Sequence, residues 1–209
     1  MAQSLLDKDI REPLFDYLDQ IYGKNRILEE KVIGKSRADI VMVVPDEILG
    51  IEIKSDADTY ARIARQVKDY DRYFDRNLLV VGSSHAGHAS EHVPEYWGIL
   101  SVEERDGGVD FYMLKEPEEN PKRKKELKLS ILWRPELSAL QEKYKMPAYK
   151  NKSKDFVREK ILEKIPWEDL NREISEILFE RDYSSIQKEI NEYRVANGRK
   201  PRRARKKWK

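Results

Sequence analysis

Three residues of this chain have the types and the spacing for hydrolytic chemistry: Asp39, Glu52 and Lys54. Asp39 lies in the β-branched run Arg37–Val44 (RADIVMVV), and Glu52-Ile53-Lys54 lies thirteen residues on, in Ile48–Lys54 (ILGIEIK). Side chains alternate faces along a strand. Glu52 and Lys54 therefore share one face, and Leu49, Ile51 and Ile53 share the other. A tight turn at Pro45-Asp46 joins the two runs, which lets Asp39 lie beside Glu52 across the ladder. Hard carboxylate oxygens hold Mg²⁺, which binds through one or two carboxylates plus substrate phosphate. Such an ion polarises a phosphoryl oxygen and acidifies a bound water. Lys54 can orient or deprotonate that water and offset charge in the transition state. The backbone carbonyl of Ile53 can complete the coordination. The competing reading is a solvated strand face with a cross-strand ion pair. Against it, the charges interrupt strands that otherwise read as buried, with Ala38, Ile40, Met42 and Val44 on one side, and unpaired charges there are costly.

These residues need a frame. Asp9–Tyr22 has the apolar spacing of a helix, with an Asp9/Glu12 capping box and Gly23 at its end. Strands are expected at Arg26–Ile33, Arg37–Val44, Ile48–Lys54, Leu78–Val81, Tyr96–Leu100 and Val109–Leu114, the last two separated by a turn at Gly107-Gly108. Tyr60–Phe74 reads as a helix carrying Gln66 and Tyr70. Charge and proline dominate 116–130, which reads as a linker. Beyond it the spacing predicts helices at Glu136–Tyr144, Ser153–Ile165, Trp167–Phe179 and Ser185–Val195. The resulting division is a core over 1–115, a helical extension over 131–196 and a basic tail over 197–209.

In order and type, Asp39, Glu52-Ile53-Lys54 and Gln66-Val67-Lys68-Asp69-Tyr70 resemble the PD-(D/E)xK nuclease superfamily. The longer string RADIVMV…GIEIKSDADT…RQVKDYDRYFD…LVVGSSH…YWGI is similar to the phage and bacterial group named the sce7726 family, closely over residues 5–115. The proline of the superfamily's name is replaced by Ala38. The resemblance implies an α/β fold, a restriction-endonuclease-like mixed β-sheet core flanked by helices, with an all-helical C-terminal extension. It also implies DNA cleavage dependent on Mg²⁺ or Mn²⁺. Asp39, Glu52 and the Ile53 carbonyl would hold the metal, Lys54 would assist the water, and Gln66 would bind phosphate or the water. The superfamily often adds an upstream acid. Glu12, Glu29 and Glu30 are the candidates, with Glu30 favoured because it lies close to the turn into the Asp39 strand. A non-catalytic DNA-binding or assembly protein on the same fold is the alternative.

Other residues suit nucleic-acid contacts. Arg62, Arg65 and Lys68 share the Gln66 helix, and Tyr70 can support Gln66. Lys152 and Lys154 open a helix in a helix–link–helix pattern similar to small SAP-like DNA-binding modules. Residues 199–209 (RKPRRARKKWK) hold 8 Lys or Arg and no acid, among them Arg202, Arg203, Arg205, Lys206 and Lys207. The remainder carries 33 basic against 39 acidic residues, so the basic excess belongs to the tail. Such a run attracts polyanions, and Trp208 adds a stacking surface. His85, His88 and His92 are spaced as three zinc ligands could be, although the segment reads as a loop at the site's mouth. The chain has no cysteine, which excludes disulfides and thiolate chemistry. With neither a long apolar run nor a signal-peptide pattern, a cytoplasmic protein that does not enter membranes is expected. Homodimerisation or a partner protein is left open.

Overall fold

The computed structural model describes residues 5–105 and 107–181. The expected helix at Ser185–Val195, the basic tail and the tail arginines and lysines named above lie outside the described residues. The described residues up to Phe179 form one contact unit. No helix among the described residues is long and apolar enough to cross a membrane.

The architecture is mixed α/β, with a six-stranded open sheet flanked by helices. The strands are β1 (Arg26–Ile33), β2 (Ser36–Val44), β3 (Glu47–Lys54), β4 (Arg76–Gly82), β5 (Gly98–Arg105) and β6 (Gly108–Lys115). They lie in the spatial order of their sequence. β1, β2 and β3 are antiparallel neighbours, β3, β4 and β5 run parallel, and β5–β6 is an antiparallel hairpin.

Two cores cover the two faces. Helix α1 (Asp7–Tyr22) buries Ile10, Leu14 and Leu18, at a spacing of four, on Ile40, Met42, Leu49, Ile51, Leu78 and Val80. Each such side chain contributes about 1.5–3 kcal/mol when fully buried. Its start differs from expectation. The helix begins at Asp7, and the Asp9 carboxylate accepts from Leu6 N (3.2 Å), so Asp9 sits inside the first turn. Glu12 is therefore an exposed helix residue and no part of a capping box.

Helix α2 (Ile63–Tyr73) packs on the opposite face, with Tyr70 and Phe74 against Val41, Val43, Leu79 and Val81. Gly50 is what lets them approach. A Cβ there would lie 2.7 Å from Tyr70 Cδ1 and closer still to the Phe74 ring. A short helix, α3 (Ser83–Ala86), follows β4. Helices α4 (Lys125–Leu129), α5 (Arg134–Lys143), α6 (Lys154–Lys164) and α7 (Trp167–Glu180) contribute Leu129, Leu137, Val157, Ile161, Leu170 and Ile174 to the α2-side core.

The helical extension thus shares a core with the sheet. Nor does 116–130 behave as a linker. Asn120 Nδ2 donates to the carbonyls of Asp71 (2.8 Å) and Phe74 (2.7 Å), and Lys128 is wholly buried against Asp75 and Asn171. Burial lowers the Lys128 pKa, and Asp75 opposes that shift.

Candidate active site

The site forms where the β2–β3 ladder ends. Pairing runs from Val44↔Glu47 to Ile40↔Ile51, so Asp39 and Glu52 occupy the next register position, just past the last pair. On the other side, Glu29↔Ile40 and Lys31↔Ala38 bracket the position where Glu30 would face Asp39. Glu30 adopts a left-handed conformation (φ 56°), which interrupts the ladder there. Side-chain alternation shifts at the same place. Ala38 packs with the α2-side core, whereas Ile40, Met42 and Val44 pack with the α1 side, which corrects the expectation that all four share a face.

Backbone groups beside this opening are satisfied by the site's own side chains. Ile53 N donates to Asp39 Oδ2 (3.0 Å), and Asp39 N donates to the Tyr70 hydroxyl (3.2 Å). Tyr70 OH in turn donates to Glu52 Oε2 (2.7 Å). Lys54 Nζ and Gln66 Nε2 both donate to Glu52 Oε1. Glu52 is 1% exposed and Lys54 8%. Burial first, and then the Glu52 charge, push the Asp39 carboxyl up to about 7, against the opposing pull of Ile53 N, Lys54 and Arg11. Burial and the two neighbouring carboxylates raise the Tyr70 phenol well above its ordinary range. The group lies at the carboxyl end of β3 beside parallel β4, the end of an open α/β sheet where ligands bind.

The structure brings four sequence candidates together: Asp39, Glu52, Lys54 and Gln66. It separates others. Glu30 Oε1 lies 3.1 Å from Arg11 and its Oε2 2.6 Å from Arg37, so arginines occupy the oxygens expected to bind metal. Glu29 also pairs with Arg11 (3.3 Å), and no contact joins exposed Glu12 to the site. Tyr70, expected at nucleic acid, is fully buried and instead holds Glu52. Arg62 is exposed on a 3-10 turn (Tyr60–Arg62) leading into α2. Lys152 is exposed, with Nζ 5.4 Å from the Phe156 ring centroid, and Lys154 tethers α6 to Ser130 O (3.2 Å).

The histidines turn to different partners: His85 Nε2 to Asp58 O (3.1 Å), His88 Nδ1 to Glu91 Oε1 (2.8 Å), and His92 stacked on Tyr60 (3.9 Å between centroids). Among the described residues no three of His, Asp or Glu converge as one metal-binding group, so the zinc reading of the histidine loop has no geometric support.

Sequence reasoning missed Arg11. From α1 its guanidinium reaches Asp7 (2.7 Å), Glu29, Glu30 and Asp39 Oδ1 (3.7 Å). The one available signal was the Asp7/Arg11 spacing of four on a helix.

Asp39, Glu52 and the Ile53 carbonyl are hard-oxygen donors of the kind Mg²⁺ or Mn²⁺ takes alongside waters, with both Glu52 oxygens accepting hydrogen bonds from Lys54, Gln66 and Tyr70. Two observations fit such an ion. Glu52 is buried and Asp39 half-buried beside it, with too little positive charge to keep Asp39 in the ordinary range. The buried Gln66 Oε1, one atom from the Glu52 contact, has no hydrogen-bond partner.

A solved structure of SfsA from Pyrococcus furiosus, in complex with Ca²⁺, is loosely similar: 14% identity, 56% of this chain and 67% of that chain covered, TM-score 0.36. No curated protein matches the chain. The sequence model of the family described as Bacteriophage P4 protein cII matches residues 1–200, which agrees with the phage part of the sequence resemblance. That match takes in the whole of the site and nearly all of the chain, and by it the chain belongs to the Bacteriophage P4 protein cII family.

Proposed function

We propose that the protein is a metal-dependent DNA nuclease of the PD-(D/E)xK type. The observation that carries this reading is the convergence of Asp39, Glu52, Lys54 and Gln66 at the carboxyl end of β3, with Lys54 and Gln66 on one oxygen of a buried Glu52. Asp39, Glu52 and the Ile53 carbonyl would hold Mg²⁺ or Mn²⁺. When bound, the ion would polarise the scissile phosphate and lower the pKa of an attacking water.

The chain's own residues supply the rest. Ile53 N fixes the Asp39 carboxylate through Oδ2 and leaves Oδ1 turned to the Arg11 side. Tyr70 fixes Glu52 from behind through Oε2. Lys54, held on Glu52, would lend positive charge, or a proton, to a phosphate oxygen that gains charge. Gln66 presents an unoccupied acceptor that suits a water's proton.

The test is cleavage of labelled single-stranded, duplex and branched DNA with Mg²⁺, Mn²⁺ or EDTA. Wild type is compared with Asp39→Ala and Lys54→Ala. Cutting in metal that both variants lose supports the reading. Intact, salt-sensitive binding without cutting on any substrate would replace it with the non-catalytic DNA-binding alternative.

A further inference from the structure

The charges of α2 are sorted by face. Its acids turn inward: Asp69 is 6% exposed and Asp71 4%. Asp69 Oδ2 accepts from Lys35 N (3.1 Å) at the β1–β2 turn, and Asp71 accepts from Tyr96 OH (2.6 Å) and Trp97 Nε1 (2.8 Å). Its cations turn outward: Arg65 and Lys68 are exposed and Arg72 half-buried, in one stripe at helical spacing. Arg65 would ordinarily pair with Asp69 four residues on, but the fold has taken that carboxylate. None of the three makes an ion pair with a described residue, whereas Arg11, Arg37, Arg76, Arg123 and Lys128 all do. An ordinary solvated helix face mixes its signs; this one is purely cationic.

The stripe continues past the helix. Lys124 N donates to Arg72 O (3.0 Å), which joins the run Lys122–Lys125 to the last turn of α2. Asn120 and the ion pair of Arg123 with buried Asp75 fix that run from beneath, so it is an ordered ledge. Lys122, Lys124 and Lys125 are exposed on it. Lys125 Nζ lies 5.0 Å from the Trp167 ring centroid, a contact that orients an ammonium without neutralising it. Lys122 lies 3.8 Å from Asp71, so Lys124 and Lys125 carry the ledge's available charge. At the other end, Arg65 adjoins Gln66. Arg65 to Arg72 spans about 10 Å at the α-helical rise, a length comparable to about three nucleotide steps measured along a duplex axis at 3.4 Å per strand.

We propose that Arg65, Lys68 and Arg72, continued by Lys124 and Lys125, form a track that binds the phosphate backbone of a nucleic acid and leads it away from the Asp39/Glu52 site. The direction rests on the nuclease reading, whereas the binding does not. The contacts are to phosphates, so affinity is independent of sequence and steeply dependent on salt.

The test measures affinity of the full chain for labelled single-stranded and duplex oligonucleotides of mixed sequence, in EDTA, from about 50 to about 200 mM salt. Arg65→Ala/Lys68→Ala and Lys124→Ala/Lys125→Ala are compared with wild type and with a charge-matched control, Lys8→Ala/Lys164→Ala. Each track variant should weaken binding several-fold. Each should also lower the salt slope by about 1.8 on duplex, or about 1.4 on single strands, for two lost contacts. The substrate showing the larger loss is the one the track carries. Track variants that match the control in affinity and slope on both substrates overturn the proposal. Loss of binding in them while wild type cuts nothing in Mg²⁺ or Mn²⁺ would uphold the track and defeat the nuclease reading. Cutting by wild type with unaltered track-variant binding would do the reverse.

Discussion

Asp39→Asn is the substitution whose effect follows most directly from the site's electrostatics. Folding raises the Asp39 carboxyl from 3.8 to about 7, chiefly through burial and then through Glu52. The native state therefore holds that proton more tightly than the unfolded chain does. Stability from this group is fully present below about pH 4, falls as pH climbs from there through about 7, and is level above. A shift of about three units at 1.36 kcal/mol each amounts to no more than about 4 kcal/mol. Asparagine keeps an acceptor for Ile53 N and removes the charge. In EDTA, then, wild type and variant should be similar in stability near pH 4, and the variant the more stable of the two near pH 8. Urea unfolding across that range reads the difference between them, which cancels the other titrating groups. A difference that does not change with pH would refute the electrostatic account of the site.

The same experiment with metal tests what the charge is for. A divalent ion held by Asp39 and Glu52 binds only the ionised pair, so its stabilising effect grows with pH. At about one hundred times its dissociation constant it would return about 2.7 kcal/mol to wild type at pH 8. Asp39→Asn should show little of this. If Mg²⁺ or Mn²⁺ stabilises both proteins equally, the ion binds elsewhere and the proposed ligand set is wrong.

Tyr70→Phe removes the 2.7 Å donor to buried Glu52 and the acceptor for Asp39 N, so the urea midpoint should fall by the equivalent of about 1.5–3 kcal/mol. Metal-dependent cutting should weaken with it. Gly50→Ala forces a methyl into Tyr70 and Phe74 and should cost about 1–3 kcal/mol or more, read by thermal unfolding. An unchanged melting temperature would mean that α2 can lift off the sheet freely. Asp75→Ala leaves Lys128 buried without its carboxylate and should cost about 3–5 kcal/mol, of which Lys128→Met in the same chain should recover the part due to the unpaired ammonium but not the part due to Ile48 N and Arg123.

The Asp39–Glu52 pairing was legible because both residues stand equally far from the Pro45-Asp46 turn, so a hairpin had to bring them level. The Glu52/Lys54 face was legible from alternation alone. Glu30 was not, because its left-handed conformation and two arginine partners arise only when β1 meets both β2 and α1. Arg11 failed for the same reason: its four carboxylates come from three elements. The segment 116–130 reads as a linker on mean composition, yet Asn120, Lys128 and Leu129 decide its burial. Helical periodicity showed that α5, α6 and α7 each have an apolar face; it could not say that this face would meet α2 and the sheet.

One helix ties these features together, and that constrains how the site can change. Gln66 and Tyr70 of α2 grip Glu52, Asp69 and Tyr73 reach the β1–β2 turn, and Asp71 takes Trp97 at the head of β5. Tyr73 OH accepts from Gly34 N (3.2 Å), and a Cβ at Gly34 would strike the Asp69 carboxylate, so that turn is shaped around α2. A substitution that loosens the turn therefore acts on the position of Tyr70 as well, through the backbone of a single short helix. Pairs such as Asp69 and Tyr70 share that helix and should be non-additive in stability. Arg65 and Lys68 protrude from the same helix into solvent and touch none of these anchors, so their charge can be removed without disturbing Glu52. The binding proposed for the outer face and the chemistry proposed for the inner one should be separable by mutation for that reason, although eleven residues would carry both.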